Sequence, residues 1–503
     1  VIGQAEAERK AAAFVTEHFG GDVVRTEAVH QSDRLLYGYL SKNKLADDYE
    51  KRYDADYPAD TYQVEVRSTA AADRSERIRF VHLHMETGEV VAWDEVDGGP
   101  GSERSRLSAA EAILAAKAFL QERGYEASRV QLPVSPGKGG YVEAAVTGEQ
   151  IGGAPLKLRI LPIGSEDGQV RIASFKPAFE VPADYAAYVE RQDRLAMILT
   201  MAGSLLPSFI LFVLAVVYAA LYRSHTSFLR GLVLTAIFLA AYLYNNVNLI
   251  DGVRASAGEA AGIDAEVRIG VAISQLFTVG MAVSVYFSFV GGDGLWRSMK
   301  RNLWPRWGEA GYGSHVWQSM KIGYWFAFII LGLQTVILIA LERGLGVWST
   351  TDVTQSPLNM AHAWLFPLLA WCAAISEEAV FRHFGIAVFR KWFRNTYAAA
   401  VIPTVVWALG HVAYPIYPAE TRLIELTLLG FVFCWLFLRF GLIAAIFAHA
   451  VMNTILMSIS LVLLGTAGNI AAAAVYIALP LLIAWVIRTA DRNRRKPRPA
   501  PAL

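Results

Sequence analysis

Cysteine, charge and any excess of one sign are all scarce in this chain. Cys372 and Cys434 are its 2 cysteines among 503 residues, both in apolar stretches, which excludes a disulfide-stapled scaffold and a cysteine-rich zinc site. Charged residues make up 18%, against ~25% in an ordinary soluble domain, and this argues against a purely soluble enzyme. The 46 basic and 45 acidic side chains cancel to a formal +1. Composition therefore offers no clustered cationic face for phosphate, and no nucleic-acid partner is expected. The HExxH pattern of many zinc peptidases is missing. The sequence opens at Val1 with neither a Met nor an apolar segment.

Apolar side chains are abundant instead, at 54%, and unevenly spread. Up to about Arg194 the sequence is mixed, charged and turn-rich; beyond it, long apolar runs alternate with short polar connectors. A run of ~18 apolar residues can cross a ~30 Å hydrocarbon core as a helix. Nine such spans are expected, at 195–222, 226–250, 268–290, 320–341, 361–390, 396–414, 421–439, 441–464 and 466–488. The expected fold class is a polytopic α-helical membrane protein with an N-terminal soluble α+β domain, and the lipid bilayer is its first partner.

Basic residues orient the spans. The connectors holding Arg297, Lys300, Arg301 and Arg306, those holding Arg390, Lys391 and Arg394, and the tail 491–503 fall on one side, joined by Arg223, Arg230 and Arg439. The opposite connectors, around 251–266, 344–359 and 414–421, carry fewer Lys and Arg. The C-terminus is therefore expected in the cytoplasm and residues 1–190 outside the membrane. A domain of that size needs an export signal, so a signal or anchor helix is expected ahead of Val1.

The outer region reads as two repeats, 1–104 and 105–190. Ala-rich helix patterns at 5–19 and 109–124 are each followed by strand-like alternation, at 62–67, 78–84 and 90–94 and at 141–146, 156–161 and 170–175. Turns are expected at Thr87-Gly88-Glu89 and Asp167-Gly168. This succession resembles PepSY-type modules and suggests an extracytoplasmic ligand. His82 and His84 alternate on one strand face and read as solvated strand residues, with a metal site as the less favoured alternative.

Ionisable groups at bilayer depth are expensive, and here they cluster in the segment 359–490, after the earlier helices of 195–345. Glu377 and Glu378 are adjacent within one span. Glu378 and Arg382 are i and i+4 and can pair, which leaves Glu377 without a partner on its own helix. An unpaired buried carboxylate suits proton transfer. His449 and Asn453 are likewise i and i+4, and His411 lies on another span. At ~1.5 Å per residue, Glu377 counted from Arg390, His411 from Thr396 and Asn453 from Phe440 all come to roughly 20 Å from the inner edge, so the groups can meet. Other polar positions have plainer readings: His362 as an interhelical hydrogen-bonder, His383 as a packing residue, Glu425 as a partner of Arg422 or a snorkelling group, and Trp304, Trp307 and Trp348 as interfacial anchors.

EExxxR at Glu377–Arg382, an aromatic-xxx-His at Trp407–His411, and HxxxN at His449–Asn453 resemble the three motifs of the CPBP family. That family holds the CAAX proteases and bacteriocin-processing enzymes, also called Abi intramembrane proteases. The resemblance covers about 359–463. Trp407 stands where Phe is commoner in the family, and another aromatic is expected to serve; His383 stands where the family has Gly after the Arg. The resemblance implies an intramembrane endopeptidase acting on a membrane protein or peptide. It implies Glu377 as the base that activates water, His411 positioning that water, His449 and Asn453 stabilising the oxyanion, and Glu378 with Arg382 holding the helix geometry. It also allows a zinc ion on Glu377, His411 and His449; a metal-free glutamate mechanism fits the residues equally. A proton-coupled transporter and a non-catalytic receptor or scaffold use the same buried residues and stay open as alternatives.

Overall fold

Ser108 caps the helix Ala109–Glu122, its side chain accepting from the Glu111 amide while Glu111 reaches back to it. This helix buries Ala112, Ala116 and Leu120, and the helix Gln4–Phe19 buries Ala7, Ala11, Phe14 and Val15, in each case one stripe at helical spacing. Small alanines let both helices lie close on a single antiparallel sheet. Its strands are β1 (Asp22–Ser32), β2 (Asp60–Thr69), β3 (Glu76–His84), β4 (Val90–Val96), β5 (Val130–Gln131), β6 (Val142–Ile151), β7 (Ala154–Gly164) and β8 (Val170–Phe179). They run in the order β1-β2-β3-β4-β8-β7-β6-β5. The first half also carries two short helices, Arg34–Asn43 and Ala46–Arg52, between β1 and β2, and the two four-stranded halves join where Trp93 faces Phe175 and Asp94 faces Ser174.

This computed structural model describes residues 1–69, 75–96, 107–164, 169–260 and 262–495. The expected turn at Asp167-Gly168 and the tail beyond Arg495 lie outside them. Gly88, at φ +68°, makes the other expected turn, its amide donating to His84 at 2.8 Å. The sheet unit comprises Val1–Glu190 together with Ile250–Ile269 and Trp348–Asn359. These two added segments are connectors between membrane helices, and side chains bind them. Asn359 takes the place of a neighbouring strand on β1, accepting from the His30 amide at 2.6 Å and donating to the His30 carbonyl at 2.9 Å. Glu259 accepts from both His82 and Lys176. Burial pushes the Glu259 carboxyl up, but the hydrogen bond and charge of His82 and the charge of Lys176 outweigh it and hold the group at about 2.

Three expectations need correcting here. His82 also bonds Thr61, and buried His84 accepts from the Glu86 amide at 3.0 Å, so neither is a solvated strand histidine. Trp348 is buried against Tyr185 rather than anchored at an interface. Trp304 is buried too, beneath the Arg230 guanidinium at 3.9 Å; Trp307 stays half exposed.

The second unit comprises Arg191–Leu249, Gly270–Val347 and Met360–Leu503. Among the described residues, seven helices are long and apolar enough to cross a membrane: Ala183–Leu221, Ile263–Ser298, Tyr312–Leu345, Ala363–Phe393, Glu420–Phe440, Leu442–Leu463 and Ala467–Arg494. The bent pair Leu232–Asn248 and Ile250–Ala257, which meet at 46°, makes an eighth if the two count as one span. The protein is a multi-pass membrane protein carrying an N-terminal α+β region.

The span expected at 396–414 differs. Its helix, Thr396–Leu409, stops after 14 residues, ~21 Å, too short to cross alone. The chain nonetheless completes the passage. Trp392 donates to Tyr218 at 2.8 Å near the C-terminal end of Ala183–Leu221, while the Ala419 amide donates to Gln192 at 2.9 Å and Tyr417 to Asp193 near its other end. From Asp193 to Tyr218 is ~37 Å of helix. The segment 410–419 therefore covers the rest of the passage without helix, which lipid depth tolerates only where protein surrounds the backbone.

Leu442–Leu463 is the most buried of these spans. Ala444, Ala445, Ala448 and Ala450 are fully buried along it, and Gly323 of Tyr312–Leu345 lies so close that a Cβ there would stand 3.0 Å from the Ala448 amide. Small residues are what let membrane helices approach this closely. His449 is thereby held inside protein.

Candidate active site

The helix bearing Glu377 and Glu378 runs on past Arg390, as the depth argument requires, but it is not α-helical throughout. After Leu368–Glu377 the backbone forms a π-helix over Glu378–Gly385 before resuming an α-helix at Ile386–Phe393. The wider turn of i→i+5 bonding marks many functional sites and carries no sequence signature. Gly385 lets this segment meet the 396–409 helix: a Cβ there would sit 2.8 Å from Pro403 Cβ. Bulky His383, fully buried, fits because Gly292 faces it, where a Cβ would stand 2.5 Å from the imidazole ring.

The two carboxylates turn to different partners. Glu378 is fully buried, 3.4 Å from Arg382 Nη1, and accepts from His449 Nδ1 at 2.8 Å. The expected Glu378–Arg382 pair forms, and Glu378 does more than hold its own helix. Arg382 is also fully buried, its guanidinium 4.1 Å from the Trp407 ring centroid and 5.3 Å from that of Phe433. Glu377 keeps some exposure, 19% of its side chain. It lacks a partner on its own helix, as expected, but finds one elsewhere: the Trp407 indole N–H donates to Glu377 Oε2.

Both histidines face Glu377. His411 Nε2 lies 3.6 Å from Glu377 Oε1, and His449 Nε2 lies 3.7 Å from Glu377 Oε2. Their tautomers follow from their other nitrogens. His411 Nδ1 is 2.9 Å from the Trp407 carbonyl and His449 Nδ1 is bonded to a carboxylate; both acceptors lack hydrogen, so each Nδ1 carries the proton. In the neutral rings both Nε2 lone pairs point at Glu377. The 3.6 and 3.7 Å separations exceed a direct hydrogen bond.

His411 lies in the turn just past Gly410 rather than within a helix, and it stacks on Tyr414 with ring centroids 5.8 Å apart. That turn is pinned to the Ala183–Leu221 helix, where Gly203 and Ser204 stand so close that a Cβ at Gly203 would meet Leu409 at 2.6 Å and one at Gly410 would meet Ser204 at 2.8 Å. Asn453 follows one turn after His449 and is half-buried; among the described residues its amide has no protein partner. Outside this group, Glu425 is fully buried between Gln334 and Arg422, each at 2.7 Å, and so pairs rather than snorkels. His362, expected as an interhelical hydrogen-bonder, instead lies in an exposed turn, from which it bonds Tyr244 at 2.8 Å.

Among the described residues, no three His, Cys, Asp or Glu side chains stand close enough together to hold a metal ion as they are. The donor set is nonetheless of the right kind. Two imidazoles with bonded Nδ1–H groups and free Nε2 atoms beside a carboxylate are what zinc takes as ligands.

Sequence reasoning missed the part played by Trp407. Its position, four residues before His411, was visible, but its N–H distinguishes it from the phenylalanine treated as equivalent. A donor-bearing aromatic one turn from a site histidine was the available signal.

Residues 359–455 match the family model described as Rce1-like, type II CAAX prenyl endopeptidase Rce1-like. The matched segment contains Glu377, Glu378, Arg382, His411, His449 and Asn453. No curated protein and no solved structure matches the chain. The resemblance of the N-terminal region to PepSY modules gains no support from these comparisons.

Proposed function

We propose that the protein is an intramembrane endopeptidase that hydrolyses a peptide bond in a membrane protein or peptide, with Glu377 as the base. The observation that carries this reading is the convergence of His411 Nε2 and His449 Nε2 on the Glu377 carboxylate, within a segment of the CAAX-type family.

In this reading a water held between Glu377 and His411 gives a proton to Glu377, and its oxygen attacks the scissile carbonyl carbon. The oxyanion is stabilised by the Asn453 amide and by His449. For His449 to donate from Nε2 its ring must carry a second proton, and the Glu378 carboxylate on Nδ1 balances that charge. Collapse of the intermediate breaks the C–N bond, and the proton on Glu377 passes to the leaving amine. Arg382 pairs with Glu378 and holds it in place.

Zinc offers a second form of the same proposal. Glu377, His411 and His449 would hold it through Oε and Nε2 atoms, and when bound it would polarise the scissile carbonyl and acidify water. The two forms make opposite demands on His449, a neutral ring for the metal and a doubly protonated one without it.

The test uses the purified full-length chain in lipid vesicles, given peptides ending in a prenylated CAAX tail and, separately, unprenylated transmembrane peptides. Cleavage in ¹⁸O-water should place one ¹⁸O in the new carboxylate. Loss of cleavage in chelator, restored by zinc, selects the metal form, and indifference to chelator selects the glutamate form. Failure to cut either class of peptide counts against the proposal.

A further inference from the structure

We infer that Trp407 is a positioning residue for the Glu377 base: its indole N–H fixes Glu377 Oε2, so that Oε1 is the oxygen that takes and returns the proton. The inference rests on the protease reading above and adds which atom acts and what selects it.

Three observations converge on it. First, Trp407 Nε1 donates to Glu377 Oε2, and an indole N–H has no lone pair and no proton to exchange at working pH, so it can only donate. Second, the ring is held from both sides. It is buried between the helix of Gly430, whose absent side chain leaves Trp407 Cζ3 3.1 Å from where a Cβ would be, and the Arg382 guanidinium at 4.1 Å. Third, Glu377 Oε1 faces His411 Nε2 at 3.6 Å, and these side chains keep 19% and 20% of their surface exposed. A carboxylate with one oxygen engaged by a donor presents its remaining basicity on the other.

The arrangement links the two halves of the site. Arg382 pairs with Glu378, stacks on Trp407, and Trp407 bonds Glu377, so the buried ion pair and the base share one aromatic spacer. A phenylalanine at 407 would keep the stacking and lose the direction.

The test replaces Trp407 with 3-benzothienylalanine, which keeps the bicyclic shape and loses only the N–H, alongside Trp407→Phe and Glu377→Gln. The substrate is whichever membrane peptide the wild-type chain cleaves. Loss of one hydrogen bond to a charged group should lower kcat roughly 10- to 100-fold. KM should stay at its wild-type value, since shape and packing are kept, and kcat is compared per folded molecule. A readout independent of turnover is the indole ¹⁵N–¹H resonance of Trp407, identified by its loss in Trp407→Phe, which should move in Glu377→Gln. Wild-type kcat in the benzothienyl protein together with an inactive Glu377→Gln overturns the role of Trp407 and spares the protease reading. An active Glu377→Gln overturns the protease reading itself.

Discussion

Neutralising Glu378 should cost far more folding stability than neutralising Glu377, although the two are adjacent. Arg382 is fully buried and Glu378 is its ion-pair partner, so Glu378→Gln leaves a buried guanidinium uncompensated, a change that typically costs about 3–5 kcal/mol. Thermal unfolding in detergent should show a much lower midpoint and reduced yield. Glu378→Gln combined with Arg382→Met removes both charges and should recover most of that stability. It should not recover turnover, because His449 loses the carboxylate bonded to its Nδ1. At this scale the EExxxR spacing made the Glu378–Arg382 pair legible. What it hid were the bonds across 30 and 71 positions, Trp407 to Glu377 and His449 to Glu378, since periodicity along one helix says nothing about which neighbour it faces.

Elements were legible where hydrophobicity alone decides them and illegible where backbone geometry does. Apolar runs announced the long spans, and the alternation at 62–67 and 78–84 announced β2 and β3. The end of the 396–409 helix was not announced, because apolar residues continue through Val412 and hydropathy does not register the turn that places His411. The π-helix was invisible for a similar reason: it changes hydrogen bonding, not composition. Helix contact is tight enough to test. In Gly430→Ala the new Cβ would stand 2.6 Å from Thr404 Cγ2 and 3.1 Å from Trp407, so overpacking should cost about 1–3 kcal/mol and displace the indole. Turnover should then fall more than the shift in midpoint explains. In the sheet unit, Glu259 should govern acid sensitivity. Its carboxyl sits at about 2 against an ordinary 4.5, so it contributes stability above pH 4.5 that is lost as pH falls toward 2. Glu259→Gln should lower stability at neutral pH and flatten that loss, as followed by near-ultraviolet circular dichroism.

For the whole molecule, counting the bent pair as one span and adding the 392–419 passage gives nine passes among the described residues, an odd number. The connectors 250–269 and 348–359 belong to the sheet unit, while Arg297–Arg306 and Arg390–Arg394 do not. With the positive-inside rule, the sheet unit is expected outside and the C-terminus in the cytoplasm. Single cysteines at Val130 and Arg494, in a chain with Cys372 and Cys434 replaced, should label from opposite sides of intact cells; labelling from one side would refute the arrangement. The central claim, that Glu377 is the base of a membrane-embedded peptidase, has its own direct measurement: cleavage per folded molecule of a membrane peptide by Glu377→Gln beside the unaltered protein, both in the same vesicles. Glutamine keeps the shape and the bond from Trp407 but cannot take a proton. The rate should fall by about 10²–10⁴-fold, the usual loss when general-base catalysis is removed, with the thermal midpoint unchanged. Near-normal cleavage by Glu377→Gln would contradict the claim and return this cluster of Glu and His to structure or transport.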